Sequence, residues 1–360
     1  MKFIFIVQGE GRGHMTQAIS LFQILKAHGH EVAHVIVGKS KRRELPEFVV
    51  KNISAPITQL ASPNFVTDRH YRSVSVWRTL FFTVLKLRTY LTSVNRIAAI
   101  VNEEQPDTII NFYDFLGGLY YILKNPGVTH IAIAHQFLLN HSQFQFPKGR
   151  YIDRKLLLLG NRLAGYRAKK LLCLSFDDFG DERIKKLIIV PPLLRSAIKT
   201  VSPSNGDHFL VYMVNHGYSE QVLAFHKKHP SVSIHCFWDK KDAPNELVID
   251  DHLTFHRLDD DKFIQYMASC KGYLTTAGFE SVCEAMFLGK PVLMVPVEGH
   301  FEQACNALDA ERVGAGIYSD AFDLEKLLSY IPVHEEVTTS FHQWSEQTVN
   351  RMLTELTSNE

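Results

Sequence analysis

Thr275-Thr276-Ala277-Gly278-Phe279-Glu280-Ser281-Val282-Cys283-Glu284-Ala285-Met286-Phe287-Leu288-Gly289-Lys290-Pro291 runs into the apolar Val292-Leu293-Met294-Val295-Pro296 and then, after a short loop, into Glu302-Gln303-Ala304-Cys305-Asn306-Ala307. The stretch reads as the end of a strand, a tight glycine turn, a helix, a second strand and a second helix. Glycine lets main-chain N–H groups approach a ligand closely, and a helix start favours an anion. A diphosphate suits such a turn.

The rest of the chain repeats this rhythm. Short apolar runs predict strands at 2–8, 31–37, 48–53, 107–112, 129–134 and 169–174, with a further one at 187–190. Their unbroken apolar character suits parallel strands buried on both faces. Helices are expected at about 14–28, 75–104, 115–124 and 151–165. Pro191-Pro192 and Ser202-Pro203-Ser204-Asn205-Gly206 then interrupt the pattern, and a domain boundary is placed there. Beyond it, strands are expected at 208–214, 232–237, 253–256, 271–275, 291–295 and 315–318. Helices are expected at about 219–228, 260–270, 279–289, 302–312 and 322–331, and a last helix at 338–357. Alternating strands and helices in two halves define an α/β protein with two Rossmann-like, doubly wound domains. The expected division is 1–195, 196–335 and a C-terminal helix 336–360.

The chain of 360 residues is 46% hydrophobic and 21% charged, which fits about two globular domains. No apolar run reaches the roughly 20 residues that span a bilayer, and residues 1–9 are too soon broken for a signal peptide. Five cysteines without a CxxC pair suggest reduced thiols and a cytoplasmic location. No zinc spacing appears among Cys and His. The net charge of +1 hides an asymmetry: residues 1–195 carry 27 Lys+Arg and 14 Asp+Glu (+13), and residues 196–360 carry 12 and 24 (−12). Such a division helps two domains face each other, or lets the basic half meet an anionic acceptor or membrane surface. No nucleic-acid-binding motif is present, so nucleic acid is not expected as a partner.

Gly9-Glu10-Gly11-Arg12-Gly13-His14 forms the turn between the first strand and first helix. Alone it would also suit a dinucleotide site, but the acidic residue such a site needs at the end of the next strand is misplaced, at Glu31. With the 275–307 stretch, it resembles the GT-B glycosyltransferases. The likeness is to the family-28 type, the group that includes the lipid-II-forming UDP-N-acetylglucosamine transferase, and to uncharacterised prokaryotic relatives. It is specific over 275–307, moderate at 9–14 and thin between 40 and 105.

The resemblance implies an enzyme: an inverting transferase, hexosyl or N-acetylhexosaminyl, that moves a sugar from a nucleotide-diphosphate sugar, a UDP-sugar first among them. Donor would bind mainly to the second domain and acceptor to the first, with chemistry in the cleft they face. No cofactor and no obligatory metal are implied. Gly11 and Gly13 would line the turn. His14 would act as general base, or more plainly cap the helix or orient a phosphate. Thr276, Ala277, Gly278 and Ser281 would hold the phosphates. Glu284 would accept both ribose hydroxyls, its plainer role being a cap or surface ion pair. Glu302 and Gln303, with Asn306, would bind the donor sugar, and His300 would touch the sugar or a phosphate. Main-chain groups of Arg257 and Leu258 would meet the base, and Asn215 and His216 would form a second phosphate-facing turn. Retaining relatives carry two Glu eight positions apart; eight before Glu284 stands Thr276, which favours inversion.

Asp114 is open to two roles, orienting His14 as a carboxylate partner or capping the helix that follows it. His135 and Gln136 end a neighbouring strand and would line the acceptor side. Arg69, Tyr71, Arg72, Trp77, Arg78, Phe81, Phe82, Lys86, Arg88, Tyr90 and Arg96 form a basic, aromatic stretch suited either to core packing or to peripheral contact with the inner face of a membrane. The acceptor is expected to be lipid-linked or anionic, within cell-envelope polysaccharide assembly. Two other readings stay open: a UDP-sugar 2-epimerase of the same architecture, and a catalytically silent sugar-nucleotide-binding protein.

Overall fold

The computed structural model describes residues 1–39, 45–63, 86–213, 216–240 and 242–358. The chain forms two compact units. The first comprises Met1–Phe144, Lys148–Arg195 and Trp344–Glu360; the second comprises Gln145–Pro147 and Ser196–Gln343.

The first unit is built on a seven-stranded parallel sheet of order β3-β2-β1-β4-β5-β6-β7. The strands are β1 (Lys2–Val7), β2 (Glu31–Lys39), β3 (Ile57–Ala61), β4 (Thr108–Phe112), β5 (Thr129–Ile133), β6 (Lys170–Leu174) and β7 (Leu187–Val190). Phe3, Ile4, Phe5 and Ile6 are wholly buried, as a central parallel strand covered on both faces requires. The helices are α1 (Arg12–Ala27), α2 (Glu47–Asn52), α3 (Leu87–Glu104), α4 (Phe115–Lys124) and α5 (Tyr151–Ala164). The chain winds one way from β1 to β3 and the other way from β4 to β7. The switch point therefore lies between β1 and β4, where open α/β sheets bind ligands.

The second unit repeats the plan with order β10-β11-β9-β8-β12-β13-β14. Its strands are β8 (His208–Met213), β9 (Ser233–Trp238), β10 (Glu246–Asp250), β11 (Leu253–Arg257), β12 (Gly272–Thr275), β13 (Val292–Met294) and β14 (Gly316–Tyr318). All pair in parallel except β10, which joins β11 antiparallel at the edge. The helices are α6 (Ser196–Thr200), α7 (Ser219–Lys228), α8 (Asp260–Ser269), α9 (Phe279–Phe287), α10 (Phe301–Arg312), α11 (Leu324–Tyr330) and α12 (Thr338–Ser345). The switch point lies between β8 and β12.

Three expectations are corrected. Residues 48–53 are not a strand: 47–52 form α2, with Pro46 at its cap, Glu47 in its first turn and Val49 as its buried residue. The strand lies later, at β3, whose five residues are all half-buried and so show no apolar run. Edge strand β10 was not expected, since all five of its residues are exposed. The last helix is two, α12 and α13 (Thr348–Thr357). At the end of α12 Trp344 Nε1 donates to Ser175 O at 3.0 Å, and at the start of α13 Thr348 Oγ1 donates to Pro192 O at 3.2 Å, fixing the terminal segment within the first unit. Arg351 adds Asp181 at 2.7 Å, and the largely buried Lys170 pairs with Glu355 at 2.8 Å. Of the helix expected at 75–104, the part at 75–85 lies outside the described residues.

Candidate functional site

In the second unit the turn after β12 is set by one residue. Ala277 has φ +56, a left-handed conformation unusual for a residue with a Cβ. Gly278, expected to be the special residue, is instead extended (φ −76, ψ 130) and caps α9 without any side-chain bond to the helix. Asn306 holds the turn from α10, its Nδ2 donating to Ala277 O at 3.2 Å. Ser281 Oγ donates to Gly278 O at 3.3 Å and lies 3.5 Å from Thr275 Oγ1. Thr276 and Ala277 are buried, and Glu284, in the second turn of α9, is 2% exposed. Burial, with repulsion from Glu280, Glu284 and Asp309, pushes the neighbouring Cys283 thiol well up, so this thiol stays protonated.

The first residues of α10 tie to the loop after β13. His300 caps α10, its Nδ1 accepting from Gln303 N at 3.4 Å, and Gln303 Oε1 accepts from Val297 N at 2.8 Å. Glu302 stands half-buried in the first turn. The structure thus joins Ala277, Gly278, Ser281 and Asn306 into one assembly beside the β8/β12 switch point, while Gln303 and His300 bind the loop that leads into α10. Arg257 and Leu258 follow β11, and the Arg257 N–H is taken by Asn245 O at 2.9 Å as the edge ladder continues. That amide cannot also read a base. Asn215 lies outside the described residues, and His216 begins the short 3₁₀ turn His216–Tyr218.

In the first unit α1 begins at Arg12, so Gly11 is its cap and Gly13 and His14 sit in its first turn. Close packing, rather than Gly11, makes the demand for glycine: a Cβ on Gly9 would lie 1.9 Å from Gly38 O, whereas one on Gly11 meets nothing within 4 Å. His14 is buried. Its Nδ1 lies 3.3 Å from Gln17 Oε1, its Nε2 lies 3.3 Å from Gln136 Nε2, and its ring stacks on Tyr113 at 5.8 Å and 17°. Burial pushes the imidazole down to about 4, against the Gln17 bond, so His14 is neutral at pH 7.

Asp114 makes no hydrogen bond to His14 among the described residues. Its Oδ1 accepts from Leu116 N at 2.8 Å, capping α4, and from Ser62 Oγ at 2.6 Å. Burial pushes the Asp114 carboxyl up to about 6, and Glu10 adds to the rise, while these two bonds pull it down. His135 Nδ1 donates to Leu174 O at 2.8 Å. Tyr113 is left-handed at φ +57, so both units place a non-glycine residue of positive φ between the strand beside the switch point and the next helix. Gln17, Tyr113 and Asn161 belong to the His14 surroundings and were not expected. Gln17 was findable, because a residue three after His14 on a helix shares its face. Of the basic aromatic stretch, residues 69–85 lie outside the described residues; Tyr90 is core, and Arg88 and Arg96 are exposed.

Two doubly wound α/β units of this order define the GT-B architecture of glycosyltransferases, and solved members share it. Phytolacca americana UGT2, complexed with UDP-2fluoro-glucose and pterostilbene, is 12% identical with a TM-score of 0.64, over 99% of this chain and 98% of that one. Acinetobacter baumannii MurG is 14% identical with a TM-score of 0.57, over 98% and 97%. The family model described as Glycosyl transferase family 1 matches residues 1–332, and the chain belongs to that family. An uncharacterised glycosyltransferase of Methanosarcina acetivorans is 22% identical over 339 residues, 88% of this chain and 85% of its own length.

Proposed function

We propose that this glycosyltransferase is inverting, takes its sugar from a UDP-sugar and passes it to a lipid-linked or anionic acceptor. The observation that carries the donor assignment is the buried Glu284 on the helix that leaves the left-handed turn at Ala277. Main-chain N–H groups at the start of α9 meet the diphosphate, and Glu284 accepts from the ribose diol. Glu302 and Gln303 meet the sugar hydroxyls with their acceptor oxygens, and His300, whose Nδ1 accepts from Gln303 N, with its Nε2–H. The Leu258 main chain meets the base.

His14 Nε2 takes the proton of the acceptor hydroxyl as that oxygen bonds to the anomeric carbon. The bond from that carbon to the phosphate oxygen breaks on the opposite face. The diphosphate leaves with the electron pair, stabilised by N–H groups and the helix dipole, with no obligatory metal. Being neutral at pH 7, His14 offers its lone pair in every molecule.

The protein works in the cytoplasm at the inner membrane face. Support comes from α5, where Ile152 (73% exposed) and Leu159 (61% exposed) share one face with the exposed cations Lys155 and Arg162 beside it. No helix among the described residues is long and apolar enough to cross a membrane.

The test is nucleotide release from UDP-sugars over a panel of soluble and polyprenyl-linked acceptors, with product stereochemistry read by NMR. Turnover with inversion, unaffected by chelator and lowered about 10²–10⁴-fold in His14→Ala, is expected. Retained configuration, or full turnover in His14→Ala, would contradict the mechanism.

A further inference from the structure

His14 is held by two amides where a histidine base more usually leans on a carboxylate. Gln17 comes from the same face of α1, one turn on, and Gln136 from the 3₁₀ turn His135–Asn140 that follows β5. All three side chains are at most 7% exposed. The two contacts admit one consistent proton arrangement. Gln17 Oε1 is an acceptor only, so Nδ1 carries the ring proton; Gln136 Nε2 is a donor only, so Nε2 carries the lone pair.

Gln136 is itself anchored. Its main-chain carbonyl accepts from Asn161 Nδ2 at 2.7 Å, and Asn161 Oδ1 accepts from the hydroxyl of Tyr113, the residue stacked on His14, at 2.6 Å. The nearby titratable groups are committed elsewhere: Asp114 to Ser62 and the cap of α4, His135 to the Leu174 carbonyl, and the Tyr113 hydroxyl to Asn161.

We infer that Gln17 and Gln136 are the positioning residues of His14: Gln17 fixes the Nδ1–H tautomer, and the Gln136 amide stands where the acceptor hydroxyl must come. This inference rests on the proposed base role of His14 and adds a substrate-sensing contact to it. An acceptor hydroxyl reaches Nε2 by displacing the Gln136 amide, whose N–H is then able to donate to the acceptor oxygen. The hydroxyl proton passes to Nε2, the imidazolium keeps its Nδ1–H on the neutral Gln17 carbonyl, and the added proton is lost to water after product leaves. With no carboxylate bonded to His14 among the described residues, the site favours the neutral ring throughout the free state.

The experiment is ¹⁵N NMR of the imidazoles in the full-length protein, with His14 assigned by its loss in His14→Asn. The expected spectrum is a neutral ring with the proton on Nδ1, unchanged from about pH 8 to about pH 5.5, where an ordinary histidine titrates. Gln17→Glu should raise the midpoint of His14 by about one pH unit or more, because a carboxylate favours imidazolium. A wild-type ring protonated on Nε2, or titrating near 6.5, would overturn the inference, and the wild-type spectrum decides even if Gln17→Glu does not fold. An unshifted midpoint in a folded Gln17→Glu would overturn it equally. Full turnover in His14→Ala with the Nδ1–H tautomer intact is a different failure: it removes the base role and leaves the tautomer assignment standing.

Discussion

Glu284 and His14 carry the proposed chemistry, and both are buried. For Glu284 the task proposed is a diol. Hydrogen bonds to a charged acceptor contribute about 1.5–3 kcal/mol, so Glu284→Ala should raise the donor Kd by roughly 10- to 100-fold. Glu284→Gln, which keeps one carbonyl acceptor, should do less. Calorimetric titration of both folded variants checks the order. For His14 the expected signature is the reverse, a loss of turnover with donor affinity kept. The contrast between Asp114 and Gln17 shows what single residues hide. A carboxylate at the end of β4 looks like a partner for His14 from the sequence, yet it caps its own helix, and an unremarkable glutamine one helical turn away takes the ring.

At the scale of elements, the turn after β12 stores strain in Ala277 that Asn306 helps to hold. Ala277→Val should lower stability by about 1–2 kcal/mol, because a β-branched side chain tolerates positive φ poorly; denaturant unfolding measures it. Helix α5 gives a second prediction. Ile152→Glu with Leu159→Glu should abolish co-sedimentation with anionic phospholipid vesicles while leaving nucleotide binding intact, and unchanged sedimentation would contradict the membrane face. Elements were legible in the sequence wherever burial was complete. The central strands β1, β4 and β12 stand out because both faces are covered. Half-buried β3 and exposed β10 do not, since their side chains answer to solvent and only the ladder makes them strands. The left-handed position was not legible for a related reason. Gly278 advertises conformational freedom, whereas Ala277 is driven into its conformation by neighbours that the local sequence does not show.

Across the described residues, buried and half-buried histidines set the response to acid. Burial pushes His14, His130, His235 and His256 down to about 4. The unfolded chain takes up their protons near 6.5 and the folded one does not. Stability they contribute is therefore present above about pH 6.5 and is lost as pH falls towards 4. Asp114 runs the other way: raised to about 6, it binds its proton more readily when folded and gains stability as pH drops through that value. Four groups outweigh one, so the urea midpoint should fall between pH 6.5 and 4.5. His130→Phe should flatten the slope, since His130 is buried against Tyr121 at 4.3 Å, far along the chain from the residues proposed for chemistry. A midpoint that rises over this range would contradict the assignment.

The donor site of the second unit carries the proposed chemistry most directly. The measurement that tests it is calorimetric titration of UDP and UDP-sugars, beside their thymidine and guanosine counterparts, into the wild-type protein and into Glu284→Ala. Saturable binding that favours uridine and weakens at least tenfold in the variant is expected. Equal affinity for the two proteins would contradict the ribose role of Glu284, and the absence of binding for every nucleotide would contradict the donor site itself.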